Sequence, residues 1–207
     1  MIIKFLNLVK VLFAYIDSGA IFRKPYKWLY MLIAALHGIT PVFIFISALG
    51  NHLFDAPFKV VLAFLLILVF ITVAAVTGML LWWDRKDKLD VITGNQDDFV
   101  ATPIFAHFIQ TTGESMAIWL FIAGTGFSLI AGIFLSGESG YIGGLVPVTL
   151  PSGIGFAGIL LFPFLGYFIL VLFRFFAEQI RALAAIANNT YTMARAQPAA
   201  ASSAEIV

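Results

Sequence analysis

His107, Gln110, Thr111 and Glu114 recur at i, i+3, i+4 and i+7, which places four polar side chains on one face of a helix. Arg174, Glu178 and Arg181 repeat at i, i+4 and i+7 near the end of a later apolar run. Ionisable groups at such positions are expensive to bury, and by default they mark an ion or proton pathway. A plainer reading pairs Glu114 with Arg174, so that the two neutralise each other and fix helix register. Such a pair adds little net stability, because desolvation offsets the Coulomb gain. Depth favours the plainer reading. Both residues lie near the ends of their runs, whereas the middle of the apolar segments holds only His37, Thr40, Thr72, Thr77, Thr125 and Ser128.

His37 and His107 also invite a haem reading, since two imidazoles facing one pocket ligate a haem iron. His107 falls several residues nearer its end of the chain's third apolar run than His37 does in the first, so no cofactor is expected. The chain has no cysteine, which excludes disulfides, a thiol nucleophile, cysteine-ligated zinc and iron–sulfur clusters. No Ser, His and Asp grouping and no HExxH pattern occurs, and Gly143 with Gly144 lacks the Lys of a phosphate loop. These patterns predict no catalytic residue, no metal site and no enzymatic activity.

The elements that carry these residues are apolar. Hydrophobic residues make up 61% of the chain and charged ones 11%, a balance that a water-soluble core of 207 residues cannot absorb. Four runs, Trp28 to Leu49, Phe58 to Trp83, Ser115 to Leu135 and Gly153 to Phe173, each approach the ~20 residues of a bilayer-spanning helix. Eleven of the twelve Lys and Arg residues then fall on one side, with Lys59 alone on the other. The positive-inside bias predicts both termini and the middle loop to be cytoplasmic. Trp28, Tyr30, Trp82 and Trp83 are rings suited to the headgroup level on that side. The first residues lack the layout of a signal peptide.

The expected fold is therefore an all-α integral membrane four-helix bundle. Residues 1 to 27 form an N-terminal interfacial amphipathic helix and a basic segment leading into the first span. Lys4 and Lys10 there face anionic lipid, each worth about 1 kcal/mol. The four-span domain covers 28 to 190, with the last helix extending into the cytoplasm. Residues 191 to 207, small and of low complexity, should be disordered. Asn51 to Pro57 reads as a tight polar turn. The Gly- and Pro-containing stretch Ser136 to Ser152 reads as an ordinary outer loop, with a re-entrant hairpin as the alternative. Kinks are expected near Pro41 and at Pro163 with Gly166. Gly124, Ser128 and Gly132, four residues apart, form a small-residue face that lets another helix approach closely, either within this chain or from another subunit.

The run Leu172, Phe173, Arg174, Phe175, Phe176, Ala177, Glu178, followed by Ile186, Ala187, Asn188, Asn189 and Thr190, resembles the C-terminal signature of a family of small bacterial inner-membrane proteins classed as a domain of unknown function. Leu29 to Leu36 is similar to that family's first span, while the third-span region and the loop Ser136 to Ser152 depart from its shorter pattern. The resemblance implies a bacterial inner-membrane protein and carries no catalytic residue. Two functions remain open. One is a non-catalytic accessory subunit or scaffold that packs against partner membrane proteins through the Gly124, Ser128, Gly132 face and the helix after Arg174. The other is a small homo-oligomeric ion channel or transporter with Glu114, His107 and Gln110 at its cytoplasmic mouth. Lipids, other membrane subunits or further copies of the chain are the expected partners; nucleic acid is not, since the net charge is only +1 and no aromatic and basic stretch occurs.

Overall fold

The computed structural model describes Lys10 and residues 20–92, 101–135 and 156–204, with side chains for Lys10, 24–91, 101–135 and 156–194. Of the expected interfacial helix only Lys10 is described, helical and exposed; Lys4 and the loop Ser136 to Ser152 lie outside the described residues. All-α architecture is what the composition dictates, because a backbone crossing lipid must satisfy its own hydrogen bonds. Four helices are long and apolar enough to cross a membrane, and among the described residues there is no strand.

The first, α1, runs Ala20–Gly50 and contains Pro25 and Pro41 without interruption. The Asn51 to Pro57 turn holds a short 3-10 segment, Leu53–Asp55, entered through His52 in the left-handed region (φ 55°). Helix α2 spans Phe58–Ile92, and α3 spans Ala101–Phe134. Midway along α3 a wide π turn covers Leu120–Gly124, where the Thr125 N–H donates to the Leu120 carbonyl. Such bulges arise where one residue too many must be absorbed, and they rotate the remainder of the helix relative to an unbroken one. Helix α4 spans Ala157–Ala204 in one piece, past Pro163 and Gly166. It also continues beyond Thr190, where the small-residue composition suggests a disordered tail; Ala-rich sequence has high helix propensity and prolongs a helix already nucleated.

Helix α1 packs along α2, α2 against α3, and α3 against α4; α1 touches α3 lightly, and among the described residues no comparable contact closes α4 onto α1. The described helices thus form a chain of neighbours, with α3 packed between α2 and α4. Two cores fill it. Val60, Ala63, Phe64, Ile67 and Ile71 of α2 meet Ala48 of α1 and Ile130 of α3 at one end. Tyr30, Ala34, Trp82, Leu89 and Ile104 meet at the other.

Five contacts between helices share one form, a ring set into a notch left by glycine. A Cβ on Gly78, Gly113, Gly124, Gly126 or Gly166 would come within 3.0 Å of His37, Phe173, Phe162, Phe70 or Phe121 respectively. Lipid tails are as apolar as the side chains, so close packing rather than hydrophobic burial holds such helices together. The expected small-residue face is used within the chain. Gly124 receives Phe162, Gly132 abuts Phe156, and Ser128 between them is fully buried.

At Gly113 the obstructing atom is the Cβ of Phe173, which no rotamer change can move. Gly113→Ala is expected to lower bundle stability by about 1–3 kcal/mol, the usual cost of overpacking. At Gly50 nothing lies within 4 Å, so Gly50→Ala should be neutral. Thermal unfolding of the two variants in one detergent provides the comparison.

Candidate functional site

The end of the bundle that carries most of its charge is built by four segments at one level: the start of α1, the end of α2, the first turns of α3 and α4 beyond Arg174. Lys27 pairs with Asp90 across α1 and α2. At the α2–α3–α4 junction Arg85 Nε donates to Glu114 Oε2 at 3.0 Å, and Nη2 lies 2.8 Å from the same oxygen as an ion pair. Gln110 Nε2 donates to Glu114 Oε1 at 2.9 Å, and Arg181 Nη2 donates to Gln110 Oε1. The result is one hydrogen-bonded line, Arg85 to Glu114 to Gln110 to Arg181, tying three helices together. The Arg85 and Glu114 side chains are 24% and 16% exposed, so the pair is shielded enough for its partners to matter. Two guanidinium groups and one carboxylate leave the line with a surplus of one positive charge.

Arg174 is not part of it. The expected Glu114–Arg174 pair does not form: Arg174 Nε donates to Glu178 Oε1 at 3.2 Å on the outer surface of α4, with both side chains more than half exposed. The physical reason is helical phase. Arg174 lies one residue past Phe173, which fills the Gly113 notch, and is turned outward, whereas Arg181 and the buried Ala177 and Ala184 face α3. An exposed pair at this spacing is worth a few tenths of a kcal/mol.

His107 sits behind this line in a cage of rings. Its Nδ1 shares a hydrogen bond with the Tyr30 hydroxyl at 2.8 Å, and the two rings stack at 5.8 Å. Trp82 meets Tyr30 edge-on at 4.8 Å, and Phe108 closes the cage against both. Thr111 Oγ1 donates to the His107 carbonyl. The four rings expected at the headgroup level therefore divide. Trp28 and Trp83 are exposed, but Tyr30 and Trp82 are fully buried, because they lie on the helix faces turned toward α3.

Two turns deeper, His37 Nδ1 donates to the Ile33 carbonyl at 2.8 Å, and Nε2 shares a hydrogen bond with Ser115 Oγ at 3.0 Å. A carbonyl can only accept, so this pairing places a proton on Nδ1. Tyr30 opposite His107 and His37 opposite Ser115 show α1 and α3 running in parallel, with the histidines about 10 Å apart along the axis at 1.5 Å per residue. They do not face one site. Among the described residues no group of three His, Asp or Glu could hold a metal ion.

Of the cluster expected from spacing, the structure joins Gln110, Glu114 and Arg181 in one line, sets His107 beside it against Tyr30, and turns Arg174 and Glu178 outward. Arg85, which the charge pattern uses only to mark topology, is the member that spacing misses. Its position two residues beyond Trp83, on a helix antiparallel to α3 and ending at the level of Glu114, is the signal that could have found it. Comparison with protein-family models, curated proteins and solved structures gives no match.

A double-mutant cycle separates the two pairings. Arg85→Leu and Glu114→Gln should show a coupling of about 2 kcal/mol, as expected for hydrogen bonds to charged groups. Arg174→Leu with Glu114→Gln should show none. Unfolding in detergent gives both numbers.

Proposed function

We propose that the chain is a non-catalytic subunit or scaffold of the bacterial inner membrane, with its termini on the cytoplasmic side, that packs against partner membrane proteins. The observation that carries this reading is the outer face of α4 beyond the charged level. From Arg174 to Ala204 the helix extends roughly 45 Å at 1.5 Å per residue, more than the whole ~30 Å hydrocarbon core. Along it Phe176, Leu183, Ile186 and Met193, spaced i, i+7, i+10 and i+17, are exposed on one side, while Ala177 and Ala184 are buried against α3 on the other. Inside the bilayer an exposed apolar side chain simply meets lipid. Past the ring of Arg and Lys residues it needs another cover, and a contiguous apolar stripe in water marks an interaction surface.

Orientation follows from the basic residues gathered at this end. The small-residue face of α3, being filled by α4, is not the surface offered to a partner. Nor do His107 and Glu114 support the channel reading, since one is caged by rings and the other is held from two sides. The stripe after Arg174 is the surface that serves assembly.

Native mass spectrometry on protein extracted gently from its own membranes, compared with a Leu183→Glu, Ile186→Glu variant, tests this. The wild type should carry a second chain at fixed stoichiometry, and the variant should lose at least about tenfold in occupancy, or 1.4 kcal/mol, while keeping its thermal midpoint. A wild type that is only monomeric, or a variant that keeps its companion, contradicts the proposal.

A further inference from the structure

Five bases at the charged end each have a carboxylate at 3.2 Å or less: Lys27 has Asp90, Arg85 has Glu114, Lys86 has Asp87, Lys88 has Asp84 and Arg174 has Glu178. Arg181 differs from them. Its one partner among the described residues is Gln110 Oε1, which belongs to a neutral amide. Glu178, three residues away on the same helix, is held by Arg174, and Glu114 is held by Arg85 and Gln110. The surplus positive charge of the line therefore sits at its α4 end, on a half-buried guanidinium. Arg stays charged at any physiological pH, so that charge must be met by an anion or by water.

Two features make this guanidinium a binding group rather than a loose surface charge. It is positioned: Arg181 rests on Gln110, Gln110 on Glu114 and Glu114 on Arg85, so a ligand meets a side chain already ordered. That contact uses one of the N–H groups of Arg181, and the others have no partner among the described residues. It also lies at headgroup depth. Trp83 is exposed on α2, Arg85 follows two residues later, about 3 Å along the axis, and the line carries that level across to α4. Phospholipid phosphates lie at the same depth.

We propose that Arg181 anchors a site for one phospholipid of net negative charge, whose phosphate oxygens take the N–H groups that Gln110 leaves unused while its acyl chains lie in the bilayer along α4. A planar guanidinium and a phosphate match through paired hydrogen bonds, which is why Arg suits this ligand better than Lys. Charge sets the choice of headgroup. A lipid with one net negative charge cancels the surplus on the line, whereas a zwitterionic lipid brings the same phosphate together with an ammonium that a cationic line disfavours. Arg174, on the outer surface with Glu178 already beside it, takes no part. This site is independent of the stripe on α4 and holds whether or not that stripe takes a partner.

The full chain in a neutral detergent, titrated with dioctanoyl phosphatidylglycerol and followed by native mass spectrometry, should take up one lipid saturably. Dioctanoyl phosphatidylcholine should bind at least about tenfold more weakly. Arg181→Gln should weaken phosphatidylglycerol binding about tenfold, and Arg181→Lys, which keeps the charge and loses the planar fork, severalfold. Arg174→Gln, at the same end of α4, should bind like the wild type. Dissolved phosphate offers the same oxyanion without acyl chains, and a large excess of inorganic phosphate should leave the lipid bound. Equal binding of the two headgroups, wild-type binding by Arg181→Gln, or an equal loss in Arg174→Gln overturns the proposal. Displacement by inorganic phosphate assigns the site to a soluble anion and overturns the lipid. The headgroup and phosphate comparisons use the unaltered chain and decide even if no variant folds.

Discussion

The structure depends on how closely helices can approach when lipid competes for every apolar contact. Burial alone gives no advantage there, so the separation between axes decides how much dispersion energy is gained. Helix α3 sets that separation. Gly113 and Gly124 admit rings from α4, and Gly126 admits Phe70 from α2, while Gly166 on α4 admits Phe121 in return. Because the notches lie on different sides of α3, two neighbours can lock onto it without competing. The third, α1, is instead locked onto α2 through His37 over Gly78 and Met79 beside Gly38. Among the described residues this leaves one side of α3 without a closely packed helix.

The charged end answers a different constraint. Where helices leave the hydrocarbon, polar side chains can meet each other at modest cost, and a line through Arg85, Glu114, Gln110 and Arg181 fixes the relative heights of α2, α3 and α4. Packing notches alone tolerate a slip of one turn more readily than a line with specific partners does. The ring cage around His107 lies directly beneath, so the polar line and the aromatic core reinforce one register.

Much of this was legible in the sequence. Four spans follow from run length, and the tight turn after Leu49 follows from Asn51 to Pro57. The shared face of His107, Gln110 and Glu114 follows from spacing. What was not legible is rotation. Spacing shows that Arg174 and Arg181 share a helix, but which of them faces α3 depends on where Phe173 docks, and that is a tertiary fact. Equally, Tyr30 and Trp82 resemble headgroup rings by position, and only their neighbours turn them inward while Trp28 and Trp83 stay out. The small-residue face at Gly124, Ser128 and Gly132 was visible as a surface, but its occupant was not. The extension of α4 past Arg174 was foreseeable in kind but not in length, since a composition of small residues is compatible with both coil and helix.

Whether that small-residue face is consumed inside the chain is the point on which the placement of any partner turns. The chain has no native cysteine, so one engineered pair reports without background. A Cβ on Gly124 would lie 3.2 Å from the Cβ of Phe162, close to the ~3.5–4.5 Å that a disulfide spans. Oxidation of the Gly124→Cys, Phe162→Cys protein in native membranes should give a disulfide within a single chain and no cross-linked dimer. A dimer joined between two chains, with no bond inside either, would mean that the face belongs to assembly and would contradict the account.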